Sequence, residues 1–181
     1  MSTLKVSTIS PLGTDATKTI TLGESGGTLG IASGAKTSGF GKIGQVKSVM
    51  LSTQEFTNST SLAETEATLS ITPSSTSSKI LIQWDTPFRR NNTNTNTYVN
   101  FSLYKNGSLL QPIEKGFSNT MSVKLWCRAT YQLLDSPSTT SATTYAVYWA
   151  RAGDSESGGF YLCDGGASNA TGSFTLMEIL D

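Results

Sequence analysis

At two places the acidic side chains of this sequence stand close enough together to suggest chemistry. Glu64 and Glu66 are two residues apart, so on a β-strand their carboxylates share a face, as the acid and the nucleophile or base of a glycosidase must. Asp154, Glu156 and Asp164 lie in Gly- and Ser-rich stretches and offer oxygen ligands of the kind calcium takes. Each has a plainer reading: a strand edge for the first set, solvated loops for the second. Arg89-Arg90, beside an Asn- and Thr-rich run, reads as a rim salt bridge rather than a phosphate clamp. Gly23 to Gly27 and Gly41-Lys42-Ile43-Gly44 fit neither a P-loop nor a dinucleotide fingerprint and are expected to be turns. Histidine is absent, which excludes Ser–His and Cys–His nucleophilic pairs, the usual zinc sites and the commonest general base. The expectation is a non-enzyme with no cofactor and no resident metal.

Composition narrows the class further. The 181 residues carry 13 basic and 13 acidic side chains, so the chain lacks the electrostatic footprint of a nucleic-acid or anionic-membrane binder. Ser (26) and Thr (27) make up over a quarter of it, and only 14% is charged, which implies strands, polar turns and a neutral, hydroxyl-rich surface. No apolar run is long enough to span a membrane, and Met1 to Val6 has no signal-peptide core. We therefore expect synthesis in a reducing cytoplasm, no membrane insertion, and Cys127 and Cys163 as free thiols. The triplets beginning at Asn58, Asn91, Asn100, Asn106 and Asn169 are what such a Ser/Thr content produces by chance.

The elements are read from alternation. Met121 to Leu133 places Met121, Val123, Leu125, Cys127, Ala129, Tyr131 and Leu133 on one face and mostly polar residues on the other, the pattern of a long half-buried strand. We take it as the organising strand, paired with Thr144 to Ala150 across the turn Asp135-Ser136-Pro137-Ser138. Ala67 to Thr72, Lys79 to Trp84, Tyr98 to Lys105, Leu109 to Ile113, Phe160 to Cys163 and Ser173 to Leu180 supply further strands. Lys79 to Trp84 is apolar on both faces and so central; Asn106-Gly107 is the dipeptide of a type I′ hairpin. Eight or more antiparallel strands without a helix signal give the expected fold: an all-β, antiparallel jelly-roll sandwich over residues 45–181. Residues 1–44 are different. They form short alternating segments punctuated by Gly and Ser, an extended, β-rich N-terminal arm with a hinge at Gly39-Phe40-Gly41.

Met1-Ser-Thr-Leu-Lys-Val-Ser-Thr-Ile-Ser-Pro, Ile20-Thr-Leu-Gly-Glu-Ser-Gly-Gly-Thr-Leu-Gly and Ser33-Gly-Ala-Lys-Thr resemble the N-terminal arm of small fibre or appendage proteins of tailed bacteriophages, marine ones especially. Leu69-Ser-Ile-Thr-Pro-Ser-Ser-Thr-Ser-Ser-Lys-Ile-Leu-Ile, Leu103-Tyr-Lys-Asn-Gly and Ser173-Phe-Thr-Leu-Met-Glu-Ile resemble their globular part, which is similar in pattern to the trimeric C1q/TNF-type jelly roll. The resemblance implies a non-enzymatic virion protein assembled in the host cytoplasm, a homotrimer with a docking arm and an outward knob. Its partners are then copies of itself, other tail or capsid proteins, and a host-surface glycan. No long repeated shaft is present.

Three roles follow as expectations: a short fibre or spike, a capsid decoration protein, and a lectin-like module using Tyr98, Tyr104, Trp126 and Tyr148. Leu4, Val6, Ile9, Ile20, Leu22 and Ile31 cannot be buried within one short arm and are expected to anchor it to a partner or to other copies. Leu81, Met177 and Ile179 belong to a second apolar row that a sandwich core does not use, and are expected at the contact between copies.

Overall fold

The computed structural model describes residues 43–90, 97–116, 126–153, 158–164 and 170–180, with the backbone alone at 97 and 114–116. The arm residues Leu4, Val6, Ile9, Ile20, Leu22 and Ile31, the hinge at 39–41, and Asp154 and Glu156 lie outside these. The described residues hold ten strands and no helix: β1 (Ile43–Leu51), β2 (Glu55–Thr57), β3 (Ala63–Ile71), β4 (Lys79–Arg90), β5 (Thr97–Lys105), β6 (Ser108–Gly116), β7 (Trp126–Asp135), β8 (Thr143–Gly153), β9 (Phe160–Leu162) and β10 (Gly172–Ile179). Two antiparallel sheets form. In sheet A, β1 and β2 flank β10 and β9, which flank β4, which pairs on its other side with β7; sheet B runs β3, β8, β5, β6. Two consecutive strands never sit side by side except at the β5–β6 hairpin, and the chain alternates between sheets as two interleaved Greek keys do. The fold is a jelly roll.

β4 is the strand the others assemble on, not β7. It borders β10 and β9 on one side and β7 along its whole length on the other. Its even positions Ile80, Ile82, Trp84, Thr86 and Phe88 are buried between the sheets, facing Val99, Phe101 and Leu103 of β5 and Tyr145, Val147 and Trp149 of β8. Trp84 and Phe101 meet edge to face at 4.9 Å. β7 is an edge strand. Cys127, Ala129, Tyr131 and Leu133 do turn to the core as the alternation predicts, but only half-buried. The predicted pairing of this strand with Thr144 to Ala150 is wrong: β8 lies in the other sheet, between β3 and β5. Short sequence separation favours a hairpin, whereas the connection from Ser136 to Ala142 crosses from one sheet to the other.

Pro87 conceals the true length of β4. A proline normally argues against a central strand because it cannot donate to the ladder. Here the neighbour on the side where its carbonyl points is interrupted. β9 ends at Leu162 opposite Phe88, and β10 starts at Gly172 one residue before the Ser173–Asp85 pair. Among the described residues Cys163 reaches across the gap, its N–H donating to the Pro87 carbonyl at 2.9 Å. A missing donor at this point costs no hydrogen bond. The flanking strand is broken at the same level, between Leu51 and Glu55. Gly172 is required here: a Cβ would lie 2.3 Å from the Asp85 carbonyl oxygen. The expected turn at Gly41 to Gly44 is also corrected, since Ile43 and Gly44 belong to β1.

At Asn106-Gly107 both residues have positive φ, 49° and 77°, and Lys105 pairs with Ser108 as the type I′ hairpin requires. This turn, the β3–β4 turn and the β7–β8 crossover all lie at the end of the sandwich where β1 begins. A buried carboxylate organises that end. Glu178 is 1% exposed and accepts from the Ser74 N–H and hydroxyl, both at 2.6 Å, and from Gln45 Nε2 at 2.8 Å. Beside it, Asp135 of sheet A accepts from Tyr145 Oη at 2.6 Å and Lys105 Nζ at 3.0 Å in sheet B, and so ties the two layers together.

Candidate functional site: the outer face of sheet A

Side chains directly opposite one another in a sheet share a face, so the register assigns the outward rows. One row crosses four strands: Val46 of β1, Met177 of β10, Leu81 of β4 and Leu134 of β7. Ile43 and Ile179, themselves paired, extend it toward the end where the chain enters β1. The structure thus brings the three expected contact residues, Leu81, Met177 and Ile179, onto one surface. All three are half-buried, because their neighbours in the row shield them. Next comes a polar row, Ser48, Thr175, Gln83 and Gln132, with Ser48 and Thr175 hydroxyls 2.7 Å apart. Then come Met50, Ser173, Asp85 and Thr130. Gln83, Gln132 and Thr175 on one side and Asp85, Thr130 and Ser173 on the other line a shallow trough.

Beyond the trough an aromatic row crosses the sheet: Phe56 of β2, Tyr161 of β9, Arg89 of β4 and Trp126 of β7. The Phe56 and Tyr161 rings lie 4.7 Å apart, and the Arg89 guanidinium sits 4.4 Å from the Tyr161 ring centre and 5.9 Å from that of Trp126. Arg89 is held there by Asp164, which is 2% exposed and accepts from its Nε at 2.7 Å and from Nη2. The expectation of a rim salt bridge at Arg89 is half right: the pair exists but is largely buried. Asp164 is accordingly no solvated loop carboxylate. Among the described residues no group of three His, Cys, Asp or Glu side chains is placed to hold a metal.

This face is where the molecule leaves apolar surface uncovered. Of the eight large hydrophobic side chains that stay exposed among the described residues, six point outward from sheet A: Ile43, Val46, Met50, Phe56, Trp126 and Leu134. Its charges are matched from within. Arg128 bonds Asp85 through Nε at 3.0 Å and through Nη2, and Arg89 bonds Asp164; Lys79 stands at the margin.

The other candidate groups are dispersed. Glu64 and Glu66 do not work as a pair: Glu64 accepts from Tyr148 Oη at 2.7 Å and Thr68 Oγ1 at 2.6 Å, whereas Glu66 accepts from the Thr53 N–H at 3.0 Å in the link between β1 and β2. Of the four aromatics expected to cluster, Tyr104 and Tyr148 meet on sheet B, while Trp126 is on sheet A. Cys127 and Cys163 are free thiols. They flank opposite sides of β4 near Phe88, about 9.5 Å apart across two strand spacings, beyond the roughly 7 Å that a disulfide tolerates. Burial raises the pKa of both.

Sequence reasoning missed β2 and Glu55. Burial pushes the Glu55 pKa up, with the charge of Glu66 adding to it, against the hydrogen bond its Oε1 accepts from the Glu66 N–H at 2.7 Å. A carboxyl with a raised folded pKa loses stability as pH rises from its unfolded value, about 4.3, through the folded one. Glu55→Gln keeps the acceptor and removes the charge. It should raise the melting temperature at pH 7 and leave it unchanged at pH 3, measured by circular dichroism.

No family model matches the chain, and no curated protein sequence matches it. Among solved structures it is similar to that of infectious bursal disease virus Gx strain, with a TM-score of 0.35 and 8% identity, over 75% of this chain and 42% of that one.

Proposed function

We propose that this chain is a non-enzymatic structural protein of a virion, assembled as a homotrimer through the outer face of sheet A. The observation that carries the self-association is the row Val46–Met177–Leu81–Leu134 with its flanking exposed hydrophobics. A soluble protein seldom leaves such a patch in water. A second copy is the partner that suits it, because Arg89 and Arg128 on this face are already neutralised by Asp164 and Asp85 of the same chain, so the apolar row calls for another apolar surface and not for a partner of opposite charge. Threefold symmetry, the virion and the docking role of residues 1–44 rest on the resemblance to phage appendage proteins. In this reading the arm holds the particle and the sandwich is displayed outward, as a short fibre or spike.

The test is the mass of the purified full chain by light scattering at micromolar concentration. Three times 19.2 kDa is expected, with Leu81→Asp plus Met177→Asp reducing it to a single chain. A folded, soluble monomer of the unaltered chain would sink the proposal. Immunogold labelling of intact particles then fixes the role: label on tails supports the fibre or spike, and label over heads assigns a capsid decoration protein instead.

A further inference from the structure

With sheet A facing other copies, the outer face of sheet B is the broad surface left to the surroundings. Its centre carries two tyrosines and a carboxylate. Tyr148 of β8 stands directly opposite Glu64 of β3 on one side and Ser102 of β5 on the other, with Tyr104 two residues further along β5. The inward positions of these strands are filled by core residues, so Tyr104 and Tyr148 point outward, both half-exposed. Their ring centres are 4.2 Å apart and their planes 34° from parallel. They sit beside small, nearly buried neighbours, Ser102 and Ala146. Glu64 is oriented by the Tyr148 hydroxyl on Oε2 and the Thr68 hydroxyl on Oε1, which hold its pKa below the usual carboxylate range.

We propose that Tyr104, Tyr148 and Glu64 form a binding site for a neutral saccharide; the proposal rests on the assembly reading above for the accessibility of this face. A pyranose has one face of C–H groups and an edge of hydroxyls. The C–H face needs a flat aromatic platform, and paired hydroxyls need a fixed acceptor beside it. Each Glu64 oxygen has accepted one in-chain hydrogen bond and keeps a second lone pair for a ligand hydroxyl, a charge-assisted bond. The ligand's charge follows from the site. Glu64 has no cationic partner among the three ion pairs of the described residues, so an acidic sugar or a phosphate would be repelled. A quaternary ammonium would need rings framing a cavity, and rings 4.2 Å apart cover one another instead. A purely structural role, a staple between β3 and β8, accounts for Tyr148 and Glu64 and leaves Tyr104 as ring packing on Tyr148.

The experiment applies the full chain to immobilised neutral oligosaccharides of hexoses and N-acetylhexosamines, with sialylated and phosphorylated glycans alongside, and titrates tetramethylammonium separately by NMR. Retention of neutral glycans is expected, with Tyr104→Ala and Glu64→Gln each weakening it at least about tenfold. Circular dichroism and light-scattering mass should not change in either variant. Failure to retain any neutral glycan, binding that survives both substitutions, or preference for acidic glycans or tetramethylammonium overturns the site. Absence of glycan binding by the unaltered chain at its trimer mass condemns the site alone. Glycan binding by a single-chain species supports the site and overturns the assembly.

Discussion

Asp164→Ala should be among the most damaging single substitutions in the folded part of the chain. The carboxylate is 2% exposed and compensates Arg89, which is itself 11% exposed between the rings of Tyr161 and Trp126. Removing one partner of a buried pair leaves the other charge desolvated and costs on the order of 3 kcal/mol, a fall of about 10 °C in melting temperature at this domain size. Asp164→Asn keeps the shape and an acceptor and should cost less. Near-ultraviolet circular dichroism should register the change as well, because Arg89 no longer aligns the aromatic row. A melting temperature within about 2 °C of the unaltered protein, measured by the same method, would show that the stack and not the ion pair fixes Arg89.

Glu178→Ala should be comparably costly and should also change how stability depends on pH. Burial opposes the charge on Glu178, but hydrogen bonds from the Ser74 hydroxyl, Gln45 and the Ser74 N–H outweigh it and hold the pKa below the usual carboxylate range. A depressed carboxylate contributes stability that is complete above its unfolded pKa, about 4.3, and is lost as pH falls through the folded value. Glu178→Ala removes the acceptor of three hydrogen bonds, two of them from Ser74 and one from Gln45, and should cost roughly 3 kcal/mol at pH 7. The variant and the unaltered protein should then converge as pH falls below about 4. Urea titrations at pH 7 and pH 3 measure both differences. A gap that stays constant between the two would mean that the loss is one of packing, not of charge.

How far the sequence reveals this molecule depends on the range of the signal. Alternation within one strand is local, and it assigns Val99, Phe101 and Leu103, and Tyr145, Val147 and Trp149, to the inner faces where they lie. The Asn106-Gly107 hairpin is equally legible because backbone preference alone decides it. Register between distant strands is not local. Leu81, Met177 and Ile179 can be singled out as surplus apolar residues, yet nothing in their spacing shows that Val46 and Leu134 complete their row. The aromatic row is further out of reach, since its four members come from four strands spread between residues 56 and 161. Glu178 is hidden by its type: a charged residue in an apolar alternation reads as an outward position until its donors are known. Pro87 misleads in the opposite direction, ending on paper a strand that the broken neighbour allows to continue.

The direction of the strands has a mechanical consequence. The chain enters β1 at Ile43, and β1 lies at the edge of sheet A, antiparallel to β10 along seven paired positions. If a particle grips the protein by the segment before Ile43 while a load acts at the far end of the sandwich, the force runs along the strand axes. The ladder between β1 and β10 is then sheared, so its pairs share the load together. A sideways pull at the same point would open them one after another, like a zip, at lower force. Resistance to rupture is set by the rate of unfolding and not by equilibrium stability. An edge strand that looks expendable by burial is thus the element through which tension would enter the fold.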